Sequence, residues 1–216
     1  CTNLLVNFDE VLSWWEEIQK NFSTSIEEIP LEKMNNWKID NNKISHESGK
    51  FFEILGLRVG EDAGREVGKG WDQPIVKENN FDGGVLGLIR SYIDGLPHYL
   101  VQSRFEPGNY GPIQISPTLQ ATFSNLNQEH GGREPHYSEV FKDYTKETSD
   151  YKFNAWLSED GGKFYKKRNR GLVKQVSFDQ VSLVDNNFKW LSLFQIKELM
   201  NYDSIINPHL ARLIFL

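Results

Sequence analysis

The sequence predicts one α+β domain, with helices near both ends of the chain and strands through its middle. Residues 9–20 and 192–200 carry apolar side chains at helical spacing, whereas from residue 51 the apolar residues form extended runs separated by turn signals. Because helices and strands are segregated along the chain, we expect a mixed or mainly antiparallel sheet flanked by helices. The expected domain covers residues 1–216, with residues 1–36 as an N-terminal helical extension.

The first predicted helix runs from Asp9 to Lys20, and its acidic start suits the helix dipole. Its apolar stripe consists of Val11, Trp14, Trp15 and Ile18. Two further helices are predicted near the other end of the chain, at Ser192–Met200 and around His209–Phe215.

The strand predictions rest on apolar runs bounded by turn formers. They are Phe51–Val59, Val85–Tyr92, Leu96–Glu106, Ile113–Phe123 and Gly171–Leu183. Asp94-Gly95 between two apolar runs predicts a hairpin. Residues 26–48 read as irregular, with a turn at residues 40–42, and residues 64–75 read as a loop.

Composition narrows the class of protein. The chain has 216 residues, 38% of them hydrophobic and 25% charged, which is typical of a globular protein. No apolar run reaches the ~20 residues of a membrane span, and the first residues do not resemble a signal peptide, so we expect a cytoplasmic protein. The single cysteine, Cys1, excludes a disulfide or cysteine metal cluster within this sequence. A net charge of -6 disfavours nucleic acid as a partner.

Two neighbouring runs have one polar face each. In the first, His98, Gln102, Arg104 and Glu106 lie on one side of the predicted strand. In the second, the polar side consists of Gln114, Ser116, Thr118, Gln120 and Thr122. If these strands are neighbours, their polar faces form a floor of hydrogen-bonding groups. The alternative is a sheet with one solvated face, which pattern alone favours.

Two features beside these strands suit a pocket. Glu106 stands at a strand end before the turn formers Pro107-Gly108-Asn109. Upstream, Arg65 and Trp71 offer a clamp for phosphate and a surface for stacking on a base, although each has an equally good structural explanation.

An ordered set of short motifs extends from about Met34 to the end of the chain. They are Trp37 and His46, residues 48–52 (SGKFF), 64–67 (GREV), 71–75 (WDQPI), 84–87 (GVLG), 98–102 (HYLVQ), 106–109 (EPGN), 116–122 (SPTLQAT), 124–125 (SN), 161–165 (GGKFY), 169–170 (NR) and 190–193 (WLSL). In this order they resemble the sugar-nucleotide 2,3-dehydratases of deoxysugar biosynthesis.

The resemblance implies a Nudix-like fold, a mixed sheet flanked by helices, without Nudix chemistry. Residues 65–67 look like the centre of a Nudix box, but Gly68-Lys69 replaces the paired acids and Leu57 replaces an upstream glutamate. Pyrophosphate hydrolysis is therefore disfavoured. Family members usually carry two modules, whereas this chain has one, so we expect a homodimer to replace the tandem.

The implied reaction removes water from a dTDP-linked 4-keto-6-deoxyglucose, and it needs no metal or redox cofactor. A base takes the C3 proton beside the C4 ketone, the C2 hydroxyl leaves, and a 3,4-diketo-2,6-dideoxy sugar results. Alternatives are a non-catalytic sugar-nucleotide-binding module, an isomerase or epimerase acting through the same enolate, and a purely structural protein.

From chemistry and face geometry, Glu106 is the predicted base and His98 the predicted acid or C4-oxygen donor. In a straight strand they lie roughly 25 Å apart, so joint action requires a bend or a second subunit. His46 is a further acid–base candidate. The predicted substrate-binding residues are Arg65, Trp71, Gln73, Gln102, Arg104, Asn109, Gln114, Thr118, Gln120, Asn125, Tyr165 and Arg170. Among them, Arg65, Arg104 and Arg170 are expected at the diphosphate, and Trp71 at the base.

Overall fold

The described part of the chain forms two β-sheets and four α-helices. The computed structural model describes residues 5–40, 42–61, 64, 66, 68–79, 83–126, 128, 133–146 and 149–214. The strands are β1 Trp37–Ile39, β2 Lys43–His46, β3 Phe52–Val59, β4 Trp71–Glu78, β5 Gly84–Ile93, β6 Leu96–Phe105, β7 Ile113–Pro117, β8 Leu119–Thr122, β9 Tyr151–Ser158, β10 Arg168–Gln175 and β11 Phe188–Ser192. The helices are α1 Phe8–Asn21, α2 Phe123–Leu126, α3 Leu193–Leu199 and α4 Pro208–Ile214.

The larger sheet has seven strands and is mixed. Its main path is β11-β6-β5-β10-β9, with β7 paired to β6 and β8 paired to β5. The β10–β5 pairing is parallel and the other pairings are antiparallel. The predicted α+β class with a mixed sheet is confirmed, as is the hairpin at Asp94-Gly95, which joins β5 to β6.

A V-shaped insertion splits this sheet. β5 and β6 pair with each other only from Ile89 and Leu100 up to the hairpin. Beyond that point β6 pairs with β7 and β5 pairs with β8, so the two short strands enter the fork between β5 and β6. We call residues 113–122 the wedge, and Thr118 is its tip. The predicted strand Ile113–Phe123 is therefore two strands with different partners.

Helices α1, α3 and α4 pack against one face of this sheet, whereas α2 packs on the other. Asn7 caps α1, and Val11, Trp14 and Trp15 are buried in the cluster that also contains residues of α3 and α4. Trp14 also donates a hydrogen bond from Nε1 to the carbonyl of Asn186, at 2.7 Å. The predicted apolar stripe of α1 is thus the face that packs on the sheet. Within the described part of the chain, no helix is long and apolar enough to cross a membrane.

The smaller sheet has four antiparallel strands in the order β1-β2-β3-β4. Here two predictions were wrong. The region read as irregular contains the β1–β2 hairpin, and residues 71–75 belong to strand β4, not to a loop. Pro74 is compatible with strand β4, because β4 is the last strand in its sheet, where a proline does not interrupt the pairing. Likewise, the strand predicted for Gly171–Leu183 ends at Gln175.

Candidate active site

A cavity of about 320 Å³ lies beside the end of β6 and strand β8 of the wedge. We call it the wedge cavity. Arg104 and Glu106 reach it from the end of β6, and residues 120–122 reach it from β8. Its lining residues are Leu86, Arg104, Glu106, Gln120, Ala121, Thr122, Asn125, Glu159, Phe164, Lys167, Asn169 and His209. Four of the predicted site residues therefore meet in one place: Arg104, Glu106, Gln120 and Asn125.

Glu106 is held in a fixed orientation at this cavity. Its Oε1 accepts a hydrogen bond from Nε of Arg104 at 2.7 Å and another from Nε2 of Gln120 at 3.2 Å. The second bond joins strand β8 to the end of β6. Because one-third of the carboxylate side chain is exposed, it is reachable from the cavity while remaining oriented by two donors.

The same cavity is also lined by a histidine and a carboxylate that the sequence analysis did not single out. His209, in the first turn of α4, lies with Nδ1 3.8 Å from Oε1 of Glu159. Glu159 is further surrounded by Nδ2 of Asn169, which donates to it, and by Arg212 at 3.9 Å. Burial lowers the pKa of His209; Glu159 opposes this shift, and Arg212 and Lys167 add to it. The imidazole is therefore neutral at physiological pH.

Two buried side-chain amide atoms at this site have no partner among the described residues. They are Oε1 of Gln120 and, beside Glu106, Nδ2 of Asn109. Buried polar atoms normally have hydrogen-bond partners, so their presence here suits a cavity that receives a polar ligand. Within the same described ranges, no three His, Cys, Asp or Glu side chains converge as a metal-binding group.

A second cavity, of about 470 Å³, lies at the small sheet and receives two more predicted residues. Trp71 and Gln73 line it together with apolar side chains and Gly161-Gly162. Nε1 of Trp71 donates to Gln73 at 2.6 Å, and Gln73 donates to the carbonyl of Gly162 at 2.7 Å. Trp71 and Glu106 therefore line different cavities.

Three predicted residues are buried and line neither cavity: His98, Thr118 and Gln114. His98 is fully buried, its Nδ1 lies 3.1 Å from the carbonyl of Leu96, and its Nε2 accepts the amide of Leu5 at 3.5 Å. The structure does not bring His98 to Glu106, because β6 carries it into the core. His98 takes no part in the mechanism proposed below.

The side chains of Thr118 and Gln114 form hydrogen bonds with backbone groups. The Thr118 hydroxyl accepts the amide of Ile89 at 2.9 Å and donates to the carbonyl of Leu100, so it joins β5 to β6 at the tip of the wedge. Gln114 donates to the carbonyl of Ser204 at 3.1 Å and accepts from Asn207 at 3.0 Å. With their hydrogen-bonding groups used internally, neither side chain is available to a substrate.

The remaining predicted residues are dispersed. Gln102 donates to the carbonyl of Pro117 at 3.0 Å, and Arg170 donates to Asn154 at 2.6 Å. Tyr165 packs under Lys166, whose Nζ lies 5.2 Å from the ring centroid. His46 contacts Ser48 through Nδ1 at 2.8 Å and belongs to the small sheet. The prediction for Arg65 lies outside the described residues.

The sequence of this chain matches a known protein family. A sequence profile of the family described as NDP-hexose 2,3-dehydratase matches residues 8–215. The chain belongs to this family.

Particular relatives carry a more specific name, dTDP-4-dehydro-6-deoxy-alpha-D-glucopyranose 2,3-dehydratase. The protein of Saccharopolyspora spinosa is 36% identical over 191 residues, covering 88% of this chain and 37% of its own length. That of Streptomyces violaceoruber is 35% identical, covering 90% and 43%, and that of Amycolatopsis orientalis is 35% identical, covering 92% and 42%. The chain thus spans only about two-fifths of the length of these curated relatives.

Among solved structures, the Ap4A hydrolase of C. elegans matches 59% of this chain and 88% of its own, at 15% identity. The TM-score of 0.32 is too low for this likeness to support any argument about function.

Proposed function

We propose that this chain acts in the 2,3-dehydration of a dTDP-linked 4-keto-6-deoxyhexose, yielding a 3,4-diketo-2,6-dideoxy sugar. Membership of the family and the names of three relatives that cover nearly all of this chain support the substrate class. The observation on which the mechanism rests is Glu106, a carboxylate oriented by two donors at the wall of a polar cavity.

The chemistry needs a base beside an acidic carbon. The C4 ketone acidifies the C3 hydrogen, and its removal leaves an enolate whose collapse expels the C2 hydroxyl. Glu106 is our candidate base, because Arg104 and Gln120 orient its Oε1 and its second oxygen, Oε2, makes no described hydrogen bond. Gln120, with its unpartnered Oε1, and Asn125 are candidates for the sugar hydroxyls. Arg104 is a candidate for the diphosphate. In the second cavity, Trp71 remains a candidate for stacking on the nucleobase and Gln73 for binding a sugar hydroxyl.

The replacement Glu106→Gln tests the mechanism. The amide keeps the shape and a hydrogen-bond acceptor but cannot take a proton, so we expect turnover to fall by about 100-fold or more. The assay incubates the chain with the 4-keto sugar nucleotide and a partner ketoreductase, and follows loss of one water by mass spectrometry. Calorimetry should show that nucleotide-sugar binding is retained.

A matched control is Glu16→Gln, which alters an exposed carboxylate on α1. This variant should turn over substrate as the unaltered protein does. Normal turnover in Glu106→Gln would remove Glu106 from the mechanism.

A second candidate function is a non-catalytic sugar-nucleotide-binding module. The observation favouring it is that the chain covers 37–43% of the relatives' lengths, so their activity can depend on parts that this chain does not match. This reading predicts nucleotide-sugar binding by calorimetry with no change in the sugar over hours.

We also propose that the active form contains two copies of this module as a homodimer. Light scattering across a concentration series would detect it, and activity per chain should fall on dilution as the dimer dissociates. A strictly monomeric chain with undiminished activity contradicts this proposal.

A further inference from the structure

His209 is the one histidine among the lining residues of the wedge cavity, and its mostly buried side chain makes no hydrogen bond within the described residues. Its side chain is about four-fifths buried, and Nδ1 is enclosed without a hydrogen-bond partner. The ring is fixed by its place in the chain, because Asn207 accepts the backbone amide of His209 at 2.9 Å and so orders the first turn of α4. Such a group has no evident structural purpose.

Glu159 influences which nitrogen of the His209 imidazole carries the proton. Its carboxylate is 3.8 Å from Nδ1 and is only 11% exposed, so it favours the tautomer with the proton on Nδ1. The lone pair then lies on Nε2 of a side chain that lines the cavity. A carboxylate beside an imidazole that lines a cavity is the arrangement of an oriented general base.

We propose that His209, positioned by Glu159, is a second proton-transfer residue of this cavity, acting on the C3 hydroxyl of the sugar after Glu106 has acted on the C3 hydrogen. This proposal rests on the proposed dehydratase function and assigns a residue to its last step.

The proposed reaction passes through an enolate. Glu106 takes the C3 proton, and the electron pair of that bond forms the enolate. The enolate pair then forms the C2–C3 double bond as the C2–O bond breaks and hydroxide leaves. His209 next takes the proton of the C3 hydroxyl, the O–H pair forms the C3 carbonyl, and the C2–C3 pair takes at C2 the proton held by Glu106. His209 finally protonates the hydroxide, so one water is lost and both residues return to their starting state.

The charges around His209 fit a base that is neutral before the reaction. Burial, Arg212 and Lys167 disfavour the imidazolium, while Glu159 and Glu106 favour it, and the balance lowers the pKa of His209. A base with a lowered pKa is active above that pKa and is lost as the pH falls through it. Glu159 is the positioning residue, and removing its charge moves this inflection to lower pH.

The test separates the two proton transfers. Exchange of the C3 hydrogen with deuterium oxide reports the Glu106 step, and ketoreductase-trapped diketone reports the whole reaction. In His209→Gln we expect C3 exchange to continue at the original rate, diketone formation to slow by about 100-fold, and the His209 inflection to disappear from the pH–rate profile. Glu159→Gln should shift that inflection to lower pH, and His136→Gln, which alters a histidine outside the cavity, should change neither readout.

The outcomes are distinct. If His209→Gln forms diketone at the original rate with its acid limb intact, or if it also loses C3 exchange, the role of His209 is overturned while the dehydratase function stands. If His209→Gln binds no nucleotide sugar, Glu159→Gln decides: an unmoved inflection overturns the role. If the unaltered protein exchanges no C3 hydrogen and loses no water, the proposed function itself is overturned.

Discussion

Replacing Thr118 with valine probes the junction on which the sheet depends. The side chain is 1% exposed, and its hydroxyl connects the amide of Ile89 with the carbonyl of Leu100, where β5 and β6 begin to diverge. Valine has nearly the same shape but can neither accept nor donate. Two buried main-chain groups would then lose their partner, at about 1–3 kcal/mol each, so we expect the free energy of unfolding to fall by about 2–6 kcal/mol.

Urea denaturation followed by circular dichroism measures this change. The matched control is Thr118→Ser, which keeps the hydroxyl and loses one buried methyl group, at about 1 kcal/mol. The valine variant should therefore unfold at a clearly lower urea concentration than the serine variant. Equal stability of the two variants would refute the reasoning, because it would mean that β5 and β6 close directly over the gap without help from the wedge.

Three further predictions concern packing, tethering and pH. Gly87→Ala would place a Cβ 2.6 Å from the buried ring of Phe141, so we expect a loss of about 1–3 kcal/mol in urea denaturation, partly restored by adding Phe141→Leu. Trp14→Phe removes the 2.7 Å bond to the Asn186 carbonyl and should cost about 1–2 kcal/mol; an unchanged midpoint would contradict this. Because the pKa of His209 lies below its ordinary value of 6.5, the unfolded chain binds more protons as pH falls below 6.5, and the free energy of unfolding should drop there. His209→Gln should remove that part of the pH dependence in urea titrations.

Much of the framework could be predicted because its signals are local. The stripe of α1 buries Val11, Trp14 and Trp15 as the spacing indicates, and Asp94-Gly95 closes the predicted hairpin. Glu106 lies beside a cavity as a carboxylate at a strand end suggests, although its chemical role remains a prediction. In each case a few neighbouring residues contain all the information needed.

The wedge could not be predicted in this way. An alternating pattern through residues 113–123 gives the faces of an extended chain, but it does not say which strand each residue pairs with. Thr118 stands in that alternation as one more polar residue, yet it lies where the pairing partner changes from β6 to β5. The polar floor expected from the pattern is therefore partly consumed, because Gln114 and Thr118 bond to the backbone.

His209 was missed for a related reason. Its neighbours in space, Glu159 and Glu106, are far from it in sequence, so no short motif joins them. One local signal was available: Asn207-Pro208 is a typical helix start, which places His209 in a first turn. That signal gives the helix but not the cavity against which it lies.

The V-shaped insertion has one more consequence. One wall of the cavity begins on β6 and a neighbouring wall on β8, and both trace back to the same buried threonine. The distance between these walls therefore depends on how far β5 and β6 diverge around the wedge, and not on the surface loops that usually shape a ligand site. Mutations around that threonine, which does not line the cavity, should therefore change which ligands fit.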